Sequence, residues 1–252
     1  MSNLQVDYLI RNAYVITTDT KKNVYTKGYV AISGEKIVDV GKEEDCQFHG
    51  KKEINAAGKA VLPGLVNAHN HINQMLLRSS IDDHSTYEPN ITGFMQKMVD
   101  IWSNATPEIC YKIVRLHILD MILGGVVAIH DQHFTNFPNS NIDGTLQAIQ
   151  ESQLHAFVSR CHLSAESLPK QARENVSDVL KEVQRLKSIW DDDRLTITGS
   201  PINPTWVQTP EELIELREGI KSLNVPFDID LSGASWKQTL MERKYTKGGA
   251  VQ

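Results

Sequence analysis

The chain has 252 residues, about 40% apolar and 23% charged, with 26 basic against 31 acidic side chains and a formal net charge of -5. That is the make-up of an ordinary globular protein with room for one or two cored domains. An acidic balance without a block of Lys and Arg excludes the electrostatic footprint of a nucleic-acid binder.

At the start of the chain, "MSNLQVDYLIRNAY" has no basic-then-apolar leader pattern, and the longest apolar run, "MILGGVVAI", is too short to span a bilayer. Cys46, Cys110 and Cys161 are an odd number at wide spacing without a CxxC, which fits neither a disulfide framework nor a thiolate metal site. A cytoplasmic protein with reduced thiols and no membrane partner is expected.

Residues 1–62 read as a small β unit of short alternating segments, "DYLIRNAYVITTD", "KGYVAISGEKIVDVG" and "KKEINAAGKAVLPG". The clearest is "ISGEKIVDVG", where Ser33-Gly34 between two β-branched runs predicts a tight hairpin turn. Over 63–252 the texture changes to apolar, β-rich runs separated by helical patterns, as in a parallel α/β sheet. The predicted strands are "GLVNAHNH", "VVAIHDQH", "AFVSRCHL", "LTITGSP" and "PFDIDLS"; the predicted helices are "TPEICYKIVRLHILDMILGG", "NIDGTLQAIQES", "ARENVSDVLKEVQRLKSIW" and "TPEELIELREGIKSLN". The last helix opens on Thr209, Pro210 and Glu211, which supply a capping hydroxyl, a first-turn proline and early acidic charge. No strand is followed by GxGxxG or a Walker loop, so a (β/α) barrel is favoured over a nucleotide-binding open sheet.

The first predicted strand ends in His69 and His71. Side chains at i and i+2 of a strand share a face, which would align Leu65, Asn67, His69 and His71 against Val66 and Ala68. Two imidazoles at the C-terminal end of a barrel strand lie where such barrels place their chemistry and can converge on one transition-metal ion. A bare HxH also fits two half-buried polar residues at a strand end.

The stretch "VLPGLVNAHNHINQMLLR" resembles the first barrel strand of the amidohydrolase superfamily, in particular its metal-dependent deaminases and chlorohydrolases of nitrogen heterocycles. "LDMILGGVVAIHDQHF" is similar to the helix and second strand of triazine hydrolases and guanine or 8-oxoguanine deaminases, and "LHAFVSRCHL" to their third strand. The resemblance implies an α/β fold, an incomplete (β/α) TIM-type barrel of about five strands preceded by a β-sandwich-like unit that forms half of a composite sandwich. It further implies that His69 and His71 are the first two ligands of one catalytic zinc or iron. Gln74 and His133 would lie near a small nitrogen-heterocycle substrate, with Gln132 and Arg160 as further candidates.

The fifth strand departs from the family pattern. Where relatives read HxHLxE, this chain reads "DIDLSG", so Asp228 and Asp230 stand in place of two histidines and Gly233 in place of the proton-shuttling glutamate. Asp230 can still serve as a metal ligand, since carboxylate oxygen binds zinc and iron. Asp228 shares its strand face and could join a carboxylate-rich site. The expected histidine on strand six and aspartate after strand eight have no counterpart before "MERKYTKGGAVQ". Two functions follow as expectations: a hydrolase of carbon-nitrogen bonds, or less readily carbon-chlorine bonds, or a truncated, inactive homologue that binds or scaffolds. An open arc of strands would leave unpaired edges, which favours a homo-oligomer or a complementing chain.

Overall fold

The computed structural model describes residues 4–78, 91–136 and 142–230, with side chains of the second stretch from Met95 onward. The chain divides between Gly64 and Leu65 into two compact units, each of which is described by itself.

The first unit is a five-stranded sheet built from β1 (Gln5–Ile16), β2 (Val24–Ser33), β3 (Lys36–Lys42), β4 (His49–Asn55) and the short β5 (Ala60–Val61). Its order is β3-β2-β1-β4, with β5 also beside β1; β1, β2 and β3 are antiparallel neighbours, while β4 and β5 run parallel to β1. The β2–β3 hairpin turns on Gly34 and Glu35, one residue later than the sequence suggests, because Ser33 still pairs with Lys36 and Gly34 supplies the positive φ of +57°. The Gly34 amide donates to Asp7 Oδ2 at 2.7 Å and pins that turn to β1. One face of the sheet packs Val6, Leu9, Tyr29 and Ala31 against Phe48.

The second unit holds four parallel strands in sequential order: β6 (Leu65–Asn70), β7 (Val126–His133), β8 (His155–Cys161) and β9 (Leu195–Ser200). The connections carry α1 (Ile91–Trp102) and α2 (Pro107–Leu123), then α3 (Ile142–Ser152), then α4 (Val176–Trp190), and α5 (Pro210–Ser222) follows β9. Parallel neighbours joined through helices are the repeating βα pattern of a barrel wall. The fifth predicted strand forms a single parallel bridge, Gly199 to Phe227, among the described residues. Around it the Gly199 amide donates to Pro226 O (3.0 Å) and the Asp228 amide to Gly199 O (3.1 Å), so residues 226–228 line the β9 edge.

Local chemistry accounts for the helix boundaries. Thr106, Asn175 and Thr209 cap α2, α4 and α5 by accepting from the amides of Ile109, Asp178 and Glu212. The Asn175 cap starts α4 at Val176, whereas the sequence pattern places its beginning at Ala172; Arg173 is extended at ψ 137°. Helix α1 is not in the sequence reading, yet Met95, Met98, Val99 and Trp102 are buried at helical spacing. The main core lies between the sheet and its helices, with Val158 and Ile197 meeting Val183, Leu186, Leu216 and Ile220. A Cβ on Gly199 would lie 2.3 Å from Ile220 Cδ1, so only glycine lets α5 close on β9. No helix among the described residues is long and apolar enough to cross a membrane.

Candidate metal centre

Strand β6 delivers the two imidazoles by an irregular route. Asn67 pairs with Ile129 and Asn70 with Asp131, so three steps on β6 oppose two on β7. One extra residue interrupts the simple alternation that the sequence suggests through His69 and His71. His71 has already left the strand, at φ -127° and ψ 79°, and precedes a 3-10 helix over Ile72–Leu77. The rings nevertheless meet edge to face, with centroids 5.0 Å apart at 77°. A second edge contact, His71 on Phe134 at 5.0 Å, closes the other side.

The His71 ring is fixed in one tautomer. Its Nδ1 lies 2.9 Å from the Gln132 carbonyl oxygen, which can only accept, so Nδ1 carries the hydrogen and Nε2 keeps a lone pair. Burial lowers the pKa of His71 below the ordinary imidazole value, opposed by that carbonyl and by the charge of Asp131. A neutral ring with a carbonyl behind it is the form that binds a metal.

The turn after β6 is tied to β7 by buried polar groups. The Ile72 amide donates to Asp131 Oδ1 at 2.6 Å, and His117 Nδ1 donates to Ile72 O at 2.9 Å. Asn73 donates to Thr135 Oγ1 (3.0 Å) and accepts from Thr145 Oγ1 (3.1 Å). Gln74, half-buried, donates its amide to His71 O at 2.8 Å. His133 is buried, with Nδ1 3.4 Å from Asn73 Nδ2 and 3.6 Å from Asp131 Oδ2, and Nε2 3.4 Å from Thr135 Oγ1. Arg160 is also buried, but its guanidinium pairs with Glu174 and the Cys161 carbonyl.

The edge segment after β9 supplies the third group. The Asp230 amide donates to Ile202 O at 2.6 Å, and Asn203 Nδ2 donates to Asp230 O at 3.1 Å. These bonds hold the Asp230 backbone beside the β6 turn. His69, His71 and Asp230 each present one ligand atom, all within 4.8 Å of one another. Two donors on one tetrahedral zinc lie about 3.4 Å apart, so the set closes by about 1 Å, within reach of a rotamer change in the exposed His69. Two imidazole nitrogens and a carboxylate oxygen are a donor set that fits zinc or iron(II).

Asp228 is not in that triad. Burial alone would raise its carboxyl pKa, but hydrogen bonds from His130, Ser159 and Thr198 outweigh this and hold it low. His130 is correspondingly raised, first by its bond to Asp228 and against the cost of burial. Gly233 and the C-terminal "MERKYTKGGAVQ" lie outside the described residues.

The sequence profile of the amidohydrolase family matches residues 60–249, a range that includes His69, His71 and Asp230. The chain belongs to the amidohydrolase family. A 5-methylthioadenosine/S-adenosylhomocysteine deaminase of Bacillus cereus is 28% identical to this amidohydrolase over 205 residues, which are 81% of the chain and 45% of the relative. Among solved structures, a variant of atrazine chlorohydrolase from Arthrobacter aurescens with zinc and atraton superposes with a TM-score of 0.79 at 21% identity, covering 96% of this chain and 56% of that one. A zinc-bound adenosine deaminase of Xanthomonas campestris superposes at 0.77 and 20% identity, covering 97% and 53%. The chain thus spans about half the length of these relatives, and the structural likeness establishes an incomplete TIM-type barrel fold.

Asp131, Asn73, Ser159 and Thr198 are site-bearing residues that the sequence reading passes over. The visible signal is "IHDQHF", where four polar side chains follow one another at the end of an apolar strand. Ser159 and Thr198 carry no such signal, since hydroxyl residues are common in strands.

Proposed function

We propose that this amidohydrolase holds one divalent metal, zinc or iron, through His69, His71 and Asp230. With the barrel strands present in its longer relatives, it hydrolyses a carbon-nitrogen bond of a nitrogen heterocycle of the purine or triazine type. The observation that carries the reading is the convergence of three ligand atoms within 4.8 Å at the strand ends. When bound, such an ion supplies Lewis acidity and lowers the pKa of water. The chain's own residues hold the site: Gln132 O orients His71 and Asp131 holds the turn, while Gln74 and His133, which the family resemblance puts near the substrate, lie behind that turn.

Deamination is favoured over dechlorination because the curated relatives are deaminases of adenosine derivatives. The three cysteines form no disulfide, which supports a reducing, cytoplasmic setting. Among the described residues β6 is at the edge of its sheet and exposes Leu65 (55%) and Val66 (68%), which supports either self-association or a chain that supplies complementing strands. A second reading, a homologue that binds without turnover, rests on Gly233 in the place where the family resemblance expects the shuttle glutamate.

The test is elemental analysis of the purified chain after reconstitution with zinc or iron, followed by assays with adenosine-type and triazine substrates. Near-stoichiometric metal that falls in His69→Ala, His71→Ala and Asp230→Ala is expected. No bound metal after reconstitution refutes the metal centre, and metal with ligand binding but no turnover selects the second reading.

A further inference from the structure

We propose that Asp228 is a positioning residue that anchors the strand-five segment and thereby sets Asp230 opposite His69 and His71. The inference rests on the assignment of Asp230 to the proposed metal centre.

The anchor is built across the sheet. Gln132 on β7 pairs in register with Ser159 on β8, and Ser159 with Thr198 on β9. Asp228 lies on the edge segment one residue past the Gly199–Phe227 bridge, level with Ser200, and its side chain reaches back to Ser159 and Thr198. All four residues of this row are polar, and Gln132, Ser159 and Thr198 are buried.

The carboxylate of Asp228 takes up every partner the layer offers. Oδ1 accepts from Ser159 Oγ at 2.5 Å and Thr198 Oγ1 at 2.7 Å, while Oδ2 accepts from Gln132 Nε2 at 3.2 Å and faces His130 Nε2 at 3.3 Å. A carboxylate has about four lone-pair sites. Three hydrogen bonds and the facing His130 engage both oxygens and turn them into the sheet, away from the His69–His71 pair. The sequence alone allows Asp228 to be a ligand beside Asp230, whereas the hydrogen bonds assign the two carboxylates different tasks.

The consequence for Asp230 follows from chain geometry. Within the described residues, the segment is held to β9 by the amides of Gly199, Asp228 and Asp230, whose bonds lie at its margin. Three strands gripping the Asp228 side chain add a fixed point two residues before the ligand. Loss of that grip leaves Asp230 to its own bonds with Ile202 O and Asn203 Nδ2, and supporting partners of this kind are typically worth 10- to 100-fold in metal affinity.

The variants Asp228→Ala and Asp228→Asn separate anchor from ligand. An asparagine keeps Oδ1 for Ser159 and Thr198, and its Nδ2 can donate to Gln132 Oε1, which has no hydrogen-bond partner, once that amide turns over. Zinc affinity by chelator competition should fall about 10- to 100-fold in Asp228→Ala and be largely restored in Asp228→Asn, with the cobalt(II) absorption spectrum of Asp228→Asn matching the wild type. Equal loss in both variants with an altered cobalt spectrum makes Asp228 a ligand and overturns the proposal. Hydrogen exchange of the Asp230 amide, measured on the metal-free full chain, reads the anchor without metal. Protection lost in Asp228→Ala and kept in Asp228→Asn supports the anchor even if the wild type binds no metal, in which case only the metal-centre reading fails. Unchanged protection in Asp228→Ala overturns it.

Discussion

The bond from the Ile72 amide to Asp131 Oδ1 is the most exacting contact in the turn that carries His71. It is 2.6 Å long, and both residues are fully buried. In Asp131→Ala the amide is stranded, which costs about 1–3 kcal/mol, the penalty for a buried donor without a partner. Asp131→Asn keeps an oxygen in place, and its Nδ2 falls where Asp131 Oδ2, itself without a hydrogen-bond partner, lies 3.6 Å from His133 Nδ1. That amide can donate to the ring, so Asp131→Asn should stay within about 1 kcal/mol of the wild type. Urea unfolding followed by tryptophan fluorescence reads the difference. With a slope of about 2 kcal/mol per molar, the alanine midpoint should fall by roughly 1 M and the asparagine midpoint by less than half of that. If Asp131→Asn were as unstable as Asp131→Ala, the negative charge and not the acceptor would be what holds the turn, and the reasoning fails.

Two further outcomes follow from burial and exposure. His162, fully buried beside Glu212, is held below the ordinary imidazole pKa by desolvation, which the 3.0 Å contact with Glu212 only partly offsets. The unfolded chain therefore takes up the proton first: this contribution is complete above about pH 6.5 and is lost as pH falls toward the folded pKa. The stability of the wild type should thus drop more than that of His162→Gln between pH 7 and 5.5, and parallel curves would contradict the assignment. Val66 and Leu119 are 68% and 52% exposed, so Val66→Lys with Leu119→Glu should change folding stability by no more than about 0.5 kcal/mol each. Sedimentation should show the unsubstituted chain associating and the double variant shifting toward monomer; a wild-type monomer at high micromolar concentration would rule out association through these faces.

Much of the second unit is legible because its signals are local. Thr209-Pro210 fixes the start of α5, and the apolar runs at 126–133 and 195–200 are strands in the structure. Local signals fail where partners are distant. The extra residue between Asn67 and Asn70 depends on registration against β7, about sixty residues away, so an alternating pattern cannot reveal it. Helix α1 carries a legible apolar spacing in Met95, Met98, Val99 and Trp102, and its omission is a failure to weigh that period. The candidate site divides the same way. His69 and His71 stand out as a pair, whereas Ser159 and Thr198 acquire meaning only when Asp228 reaches them from 69 and 30 residues away.

The charge arrangement explains why an aspartate can stand where a histidine is usual. His71 feels the carboxylates of both Asp131 and Asp230, and Asp228 is faced by His130, whose pKa is raised by that contact. Asp131 Oδ2 is buried without a hydrogen-bond partner. Carboxylates gathered in a poorly hydrated interior repel one another and lose solvation. A histidine at position 230 would contribute a neutral donor, whereas Asp230 adds a negative one. In the proposed metal centre Asp230 would therefore add attraction for a divalent cation at the expense of stability when no cation is bound. That trade requires the Asp230 carboxylate to be held where its repulsion cannot swing it outward, and the grip on Asp228 two residues earlier meets this requirement.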